Sequence, residues 1–194
     1  MTNSNVSPLN DAVAIRREIQ SAAKTDIAIR ISRDDIEDGY MNGFVAAIGQ
    51  SFFVIELISD SIYLDGFVCL RFEDVSHVES PAPHWKFLQQ ALCLRNQQRA
   101  EPLGVDCKTT YTLLTSIPRA VELVTLHSEK VDSEVCFIGR IASVNEEALT
   151  LDTVSPEAEW HTEGMEIWLS DITQINFGGA YEDALFQVIS SRKS

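Results

Sequence analysis

The sequence lacks both a segment that could cross a bilayer and a recognisable secretion signal. Its apolar runs, such as that at residues 51–58, are far shorter than the roughly 20 residues that a membrane-spanning helix needs. The first residues, MTNSNVSPLND, contain neither a basic segment nor an apolar one. Four cysteines are present, without a CxxC pair or a histidine at metal-ligand spacing. These absences predict a cytoplasmic protein with free thiols, no membrane contact and no metal site.

Positive charge is scarce throughout the chain. The 15 Lys and Arg residues face 29 Asp and Glu residues, which gives a formal net charge of −14. Residues 129–183 contain only two bases, Lys130 and Arg140, against thirteen acids. A surface with this charge repels phosphate backbones and anionic lipids, so a nucleic-acid partner is not expected. The simplest interpretation is a solvated acidic face that keeps the protein dispersed in solution.

Catalytic patterns are also missing from the sequence. The four histidines are scattered, and no serine or cysteine lies in a nucleophile elbow. Gly178–Gly179 is a lone pair of glycines and not the Gly-rich strand-to-helix loop that cradles a phosphate. The acids of residues 146–159 do not have the dense spacing of a calcium loop. The sequence therefore predicts neither an enzyme nor a cofactor.

What the sequence does contain is one β-rich pattern that occurs twice. The stretches DGFVCLRFEDVSHV, from Asp65, and EGMEIWLSDITQI, from Glu163, share one order: acid–glycine, an alternating apolar strand, an aspartate and a second short strand. An offset of 97 aligns their apolar positions, and upstream an offset of 96 aligns Gly43 with Gly139. A period of about 96 residues indicates duplication of a whole fold and not a solenoid of short repeats.

Each copy is predicted to contain five short strands and flanking helices. Residues 10–24 have the apolar spacing of a helix, and the strands that follow include a bent one around Gly43. A glycine inside a strand pattern, as at Gly43 and Gly139, indicates a sharp bend or a close backbone approach. Five such strands favour a small closed barrel with the helix over one end. We therefore expect a mainly β protein in two domains, 9–100 and 108–194, each a small β-barrel.

Two separate cores follow from the same alternation of apolar residues. One core should contain Phe53, Ile55, Val68 and Leu70, and the other Leu149, Leu151, Met165 and Ile167. One continuous sheet through both halves, or equivalent positions that do not superpose between them, would count against the duplication.

A leading helix followed by five strands, with a glycine in the bent second strand, resembles the Sm/Sm-like fold, a small SH3-like barrel. The resemblance covers residues 10–79 and, more loosely, 109–177. RNA-binding Sm proteins carry an Asp-x-aromatic-Met-Asn run after the second strand and Arg-Gly between the last two strands. Here those loops read Gly49–Gln50–Ser51 and Glu73–Asp74 in the first copy, and the second copy is equally acidic. The resemblance therefore implies the fold and assigns no functional residue. The strand pair also resembles that of uncharacterised bacterial proteins.

The resemblance also implies how the two copies contact each other. In Sm-like proteins the final strands of one barrel pair with those of a neighbour, and here these strands are residues 75–78 and 172–177. Two such edges in one chain have a high effective concentration for each other, so we expect the halves to pack as a pseudo-dimer. The negative charge of residues 129–183 should oppose growth into rings, which predicts a monomer or a homodimer.

Two pairs of aromatic and histidine residues are the candidate binding residues. Trp160 and His161 lie in SPEAEWHTEG, a loop two residues longer than its counterpart in the first copy, where they could contact a ligand or partner. His84 and Trp85 follow the first barrel. The alternative is structural, because loop aromatics usually find cover: Trp160 would close the barrel, and Trp85 would pack a helix against it.

Two functions from different classes remain open. The first is a non-catalytic interaction module that binds a protein partner, as an accessory or inhibitor of a basic protein, in keeping with the acidic second half. The alternative is an RNA-binding or other nucleic-acid-binding Sm-like protein, which the resemblance and the early arginines favour. Those arginines are Arg16, Arg17, Arg30 and Arg33.

Overall fold

The computed structural model describes residues 8–100, 104–117 and 121–192, with side chains described from Ala12 onward. Within these ranges the chain is mainly β, with flanking helices, as predicted. The first half comprises α1 (Pro8–Thr25), β1 (Ile29–Ser32), β2 (Met41–Ile48), β3 (Phe52–Ile58), β4 (Leu64–Arg71), a 3₁₀ turn (Phe72–Asp74), β5 (His77–Glu79) and α2 (Trp85–Leu94). The second half comprises α3 (Thr110–Ser116), β6 (Val124–His127), β7 (Cys136–Val144), β8 (Ala148–Thr153), β9 (Met165–Trp168), β10 (Gln174–Phe177) and α4 (Ala180–Ser191).

The ten strands form one antiparallel sheet in the order β5-β1-β2-β3-β4-β10-β6-β7-β8-β9. The expectation of two separately closed barrels is not confirmed, because the sheet is continuous and open. The reason is the pairing of β4: its outer edge hydrogen-bonds to β10 of the other half, from Leu70↔Gln174 to Phe67↔Phe177. A continuous sheet is also the outcome that counts against the duplication, although the strand orders and registers of the two halves match. In the part of the chain that the structure describes, β5 and β9 are left as the two edges of the sheet.

The two halves have the same strand order and nearly the same registers. The order β5-β1-β2-β3-β4 in the first half corresponds to β10-β6-β7-β8-β9 in the second. A register shift lies between Val45 and Ala47 in β2, and the matching shift in β7 lies between Ile141 and Ser143. Both positions differ by 96, the offset found in the sequence.

The halves contact each other through a different strand pair from the one expected. The last strand of the second half, β10, does pair across the two halves. Its partner is β4, however, whereas the last strand of the first half, β5, pairs with β1 of its own half. Since β10 also pairs with β6, it is hydrogen-bonded on both sides and joins the two halves.

Two large cores lie on either side of the junction. Phe53, Ile55, Val68 and Leu70 share the first core, which α1 covers through Ile19 and other residues. The second core contains Leu149, Leu151 and Ile167, with Met165 half-buried against it, and α3 contributes Leu113, Leu114 and Ile117. These predicted core residues are confirmed. The second core also includes Phe52, Val54, Phe67 and Cys69. These side chains alternate with the first-core residues, so β3 and β4 are buried on both faces.

The glycine in the bent strand is required by a close backbone approach. A Cβ added at Gly43 would lie 2.6 Å from the carbonyl oxygen of Glu56 on β3. We expect Gly43→Ala to lower the free energy of unfolding by about 1–3 kcal/mol, because backbone atoms on both sides would have to shift. Gly39→Ala is the control, since a Cβ at Gly39 meets nothing within 4 Å. Urea unfolding of the two variants measures the difference, and equal stabilities would contradict this explanation.

Candidate functional site

The edge strand β9 presents backbone groups that the sheet does not use. The Leu169 N–H donates to the Glu147 carbonyl, at 2.8 Å, at the end of the β8–β9 ladder. Hydrogen-bonded pairs alternate along an antiparallel ladder, so the N–H and C=O groups of Glu166 and Trp168 face away from β8. Among the described residues no strand pairs with this side of β9. The edge can therefore accept one further antiparallel strand.

The side chains of β9 are divided between two faces. Ile167 is buried in the second core, and Glu166 and Trp168 lie on the opposite face, where Trp168 is 51% exposed. Their neighbours across the ladder on β8 are Thr150 and Ala148. A short edge strand that carries a charged residue opposes general edge-to-edge aggregation.

The equivalent edge in the first half is already occupied. By register, Cys69 and Arg71 of β4 correspond to Glu166 and Trp168 of β9. Cys69 is fully buried beside β10, its neighbour in the sheet. Nearby, Phe67 stacks on Phe177 of β10, with ring centroids 5.6 Å apart. At the first of these two positions the edge is therefore apolar and covered in the first half, as Cys69, and charged and exposed in the second, as Glu166.

The acids in and just before β9, Glu166 and Glu163, are not paired with either of the two bases of residues 129–183. Of the two bases in residues 129–183, Lys130 pairs with the buried Asp74 across the junction, with Nζ–Oδ1 at 2.5 Å. Arg140 pairs with Glu122 at 2.8 Å. Glu163 and Glu166 make no ion pair with any other residue that the structure describes. The face around β9 is accordingly negative and not internally neutralised.

Trp160 and His161 lie in the loop that leads into β9. Trp160 is half-buried against the small core that contains Leu185 and Ile189 of α4, and Arg140 lies 5.3 Å from the centre of its ring. Its indole N–H is buried with no hydrogen-bond partner among the described residues. His161 is exposed, and its backbone N–H bonds to Thr153. Trp160 thus has structural contacts, while His161 remains accessible beside the edge.

His84 and Trp85 lie in the first half, in a separate cluster from Trp160. Trp85 opens α2 and packs edge-on against Phe44, with ring centroids 5.6 Å apart, in the cluster that joins α2 to the sheet. His84 is exposed and has a left-handed backbone, with φ at 59°. The two predicted pairs do not form one site. Trp85 has the packing contacts of the structural alternative.

The four early arginines do not form a common basic surface. Arg33 is 1% exposed and Arg30 bonds to Asn42, while Arg16 stacks on Phe72 at 3.8 Å. Arg17 is exposed. A phosphate backbone needs several cations accessible along one surface, which this arrangement does not supply.

Arg33 forms an ion-pair network that the sequence reading missed. Its guanidinium makes a bidentate contact with Glu129 of the other half, at 2.7 and 2.9 Å, and also bonds to Glu37. Thr173 donates to the same Glu129 carboxylate at 2.6 Å. Burial alone would raise the pKa of Glu129, but the hydrogen bonds from Arg33 and Thr173 outweigh burial and lower it. The network joins the two halves. No local sequence pattern indicates it, because Arg33 and Glu129 are 96 positions apart in the sequence.

A groove of about 800 Å³ also lies at the junction. It is lined by Arg16 and Arg71, with Glu73 and Glu146 opposing their charge. Arg71 donates to the carbonyls of Leu169 and Ser170, both at 2.8 Å, so this cation is engaged in joining the halves. The groove therefore has no concentrated charge of either sign.

Of the four thiols, Cys69 and Cys107 are buried, and Cys93 and Cys136 are exposed. Burial raises the pKa of the Cys69 thiol well above its usual value, and burial followed by the nearby Asp106 raises that of Cys107 to about 11. Neither thiol is therefore a nucleophile near neutral pH. No group of three His, Cys, Asp or Glu side chains in the described ranges is arranged to hold a metal ion. No helix within them has the length and apolarity needed to span a membrane.

Comparison with known proteins identifies no relative of this chain. No protein-family model, curated protein sequence or solved structure matches it. The geometry of the chain itself therefore carries the functional assignment.

Acid should weaken the contact between the halves. A carboxylate whose pKa is lowered on folding contributes stability that is present above its unfolded pKa, near 4.5, and is lost as the pH falls through the lowered value. The pKa of His127 is lowered too, chiefly by burial, so its protonation below about 6.5 favours the unfolded chain. We expect the free energy of unfolding to fall steadily on acidification, as measured by urea unfolding at a series of pH values.

Removing Arg33 tests the network directly. Arg33→Met should cost about 3–5 kcal/mol at neutral pH, because it leaves Glu129 half-buried and unpaired, and it should flatten the acid dependence. Arg17→Met is the control, since Arg17 is exposed. A variant as stable as the control would show that the network is dispensable.

Proposed function

We propose that this chain is a non-catalytic interaction module that binds a basic protein partner, as an accessory or inhibitor, by accepting an extended strand at β9. One observation carries the proposal. The edge of β4 is filled by β10 through a four-residue ladder, while the corresponding edge of β9 carries no strand among the described residues. Strand addition gives affinity through main-chain hydrogen bonds and specificity through side chains that alternate between the faces.

The fold is part of the same proposal. Each half is a duplicated Sm-like unit, a five-stranded barrel opened where it meets its neighbour. Support comes from the repeated strand order, the matched register shifts and the glycine in each bent strand. In this view the second unit supplies β10 to the edge of the first unit. A partner strand would bind to β9 in the same way that β10 binds to β4.

Side chains on β9 and in the loop before it supply the specific contacts. Trp168 is the anchor, because an exposed tryptophan beside unpaired backbone groups gains most from being covered. His161 lies at the start of the same segment and contacts the end of the partner strand. Glu166 sets the charge preference.

Blocking the edge should abolish binding of extended peptides. Peptides are selected from a random phage-displayed library against the wild-type chain. Their affinity for Glu166→Pro should be lower by about tenfold or more, because proline removes an outward-facing N–H and its ring obstructs the added strand. Glu166→Gln is the control for the charge, since it keeps the N–H. Selected peptides that bind the proline variant normally would place the site elsewhere and overturn the proposal.

The tryptophan anchor is tested in the same assay. Trp168→Ala should weaken the selected peptides by about 1–2 kcal/mol in binding free energy. Tyr181→Ala is the matched control, because Tyr181 is a similarly exposed aromatic residue, on α4. Equal losses in both variants would mean that exposed aromatic area alone, and not the edge, determines binding.

Nucleic acid should not bind. The net charge is −14, and Arg33 is held in an internal ion-pair network, so little counterion release is available. We therefore expect no retention on heparin resin and no oligonucleotide binding at physiological salt. Sub-micromolar binding that weakens steeply with added salt would favour the nucleic-acid function instead.

A further inference from the structure

The ladder between β4 and β10 fixes which residue of a strand docked on β9 would face Glu166. In the first half Phe53 pairs with Leu70, and in the second half Leu149 pairs with Ile167, so Cys69 and Glu166 occupy the same place. Across the junction, Cys69 lies directly opposite Ile175 of β10. A strand docked on β9 in the same register therefore has one residue, in the place of Ile175, directly opposite Glu166.

The environment at that place differs between the two halves in one decisive respect. Cys69 and Ile175 are both fully buried, and their contact is apolar. With glutamate in place of cysteine, an apolar residue opposite would cover a carboxylate without compensating its charge, which is unfavourable. Directly opposed residues of antiparallel strands have Cβ atoms about 5 Å apart, within reach of an ion pair.

Among the residues that the structure describes, none forms an ion pair with this carboxylate. Thr150 is the neighbour of Glu166 on β8, and Asp152 lies further along the same face, beside Gly164. Lys130 and Arg140 are paired with Asp74 and Glu122. A docking strand can therefore supply the positive charge that would compensate Glu166.

We propose that the partner strand carries a lysine or arginine directly opposite Glu166, flanked by residues that cover Trp168. This inference rests on the proposed function, and it names the chemistry that selects the partner.

A second copy of this chain fits the edge poorly. Its own free edge, β5, is the counterpart of β10, and Val78 corresponds to Ile175. Docking β5 on β9 would set Val78 against Glu166 and would add Glu79 to an already acidic edge. Charge complementarity thus favours a basic segment from another protein over self-association.

Peptides copied from β10 provide the probe. The chain reads Ile-Thr-Gln-Ile-Asn-Phe over residues 172–177, and three versions place isoleucine, lysine or glutamate at the position of Ile175. Isothermal calorimetry at low salt should show the lysine peptide binding roughly fivefold to tenfold more tightly than the glutamate peptide, with the preference shrinking as salt is added. Glu166→Lys should reverse the order. Glu166 is exposed, so the variant should fold, which circular dichroism verifies.

The outcomes separate this inference from the proposed function. The three peptides could bind equally well whatever their central charge and yet lose binding to Glu166→Pro. That result would keep β9 as the docking edge and would contradict the inference that the partner carries a basic residue opposite Glu166. If none of the three peptides and no selected peptide binds, the proposed function fails and the inference fails with it. Concentration-dependent dimers in sedimentation that Glu166→Pro abolishes would identify a second copy as the occupant and overturn the basic partner. Reversal of the order by Glu166→Lys supports the inference.

Discussion

The ladder between β4 and β10 is the contact on which the rest of the structure depends. It converts two five-stranded units into one ten-stranded sheet, and it buries the second face of β3 and β4. Those two strands read as continuous apolar runs because both of their faces are covered. The ladder also decides which edges stay open. Because β4 and β10 pair with each other in the middle of the sheet, β5 and β9 form its two edges in the described part of the chain.

The charged contacts at the junction act on geometry more than on net stability. A buried ion pair seldom stabilises more than apolar packing would, but a mismatched one is costly, so Arg33–Glu129 and Lys130–Asp74 disfavour any other docking of the halves. Arg71 fixes the same junction through two backbone carbonyls. Since β-pairing alone tolerates register slips, such contacts fix the β4–β10 register that our inference transfers to β9.

Local patterns in the sequence were sufficient to predict the strands, both cores and the close approach at Gly43, since each depends on alternation or on a single glycine. The closure of each barrel was predicted wrongly, because it depends on whether the edge of β4 pairs with β5 of its own half or with β10 of the other half. Residues distant in the sequence determine that choice. The candidate residues chosen for their aromatic character, Trp160 and Trp85, turn out to have packing contacts. No local pattern indicates that Arg33 is buried, because its partner, Glu129, is 96 positions away. The importance of β9 could not be read from its own four residues.

The places where the two copies differ are as informative as those where they agree. Positions facing the cores keep their apolar character, as Leu70 and Ile167 do, because both environments are alike. On the other face, Phe67 and Cys69 correspond to Gly164 and Glu166, because only the first pair is covered by another strand. A glutamate at an otherwise open edge opposes pairing with apolar or acidic strands, including the chain's own β5, and leaves a basic strand as the acceptable one. Glu166 on the edge strand β9 thereby opposes most added strands and favours a basic one.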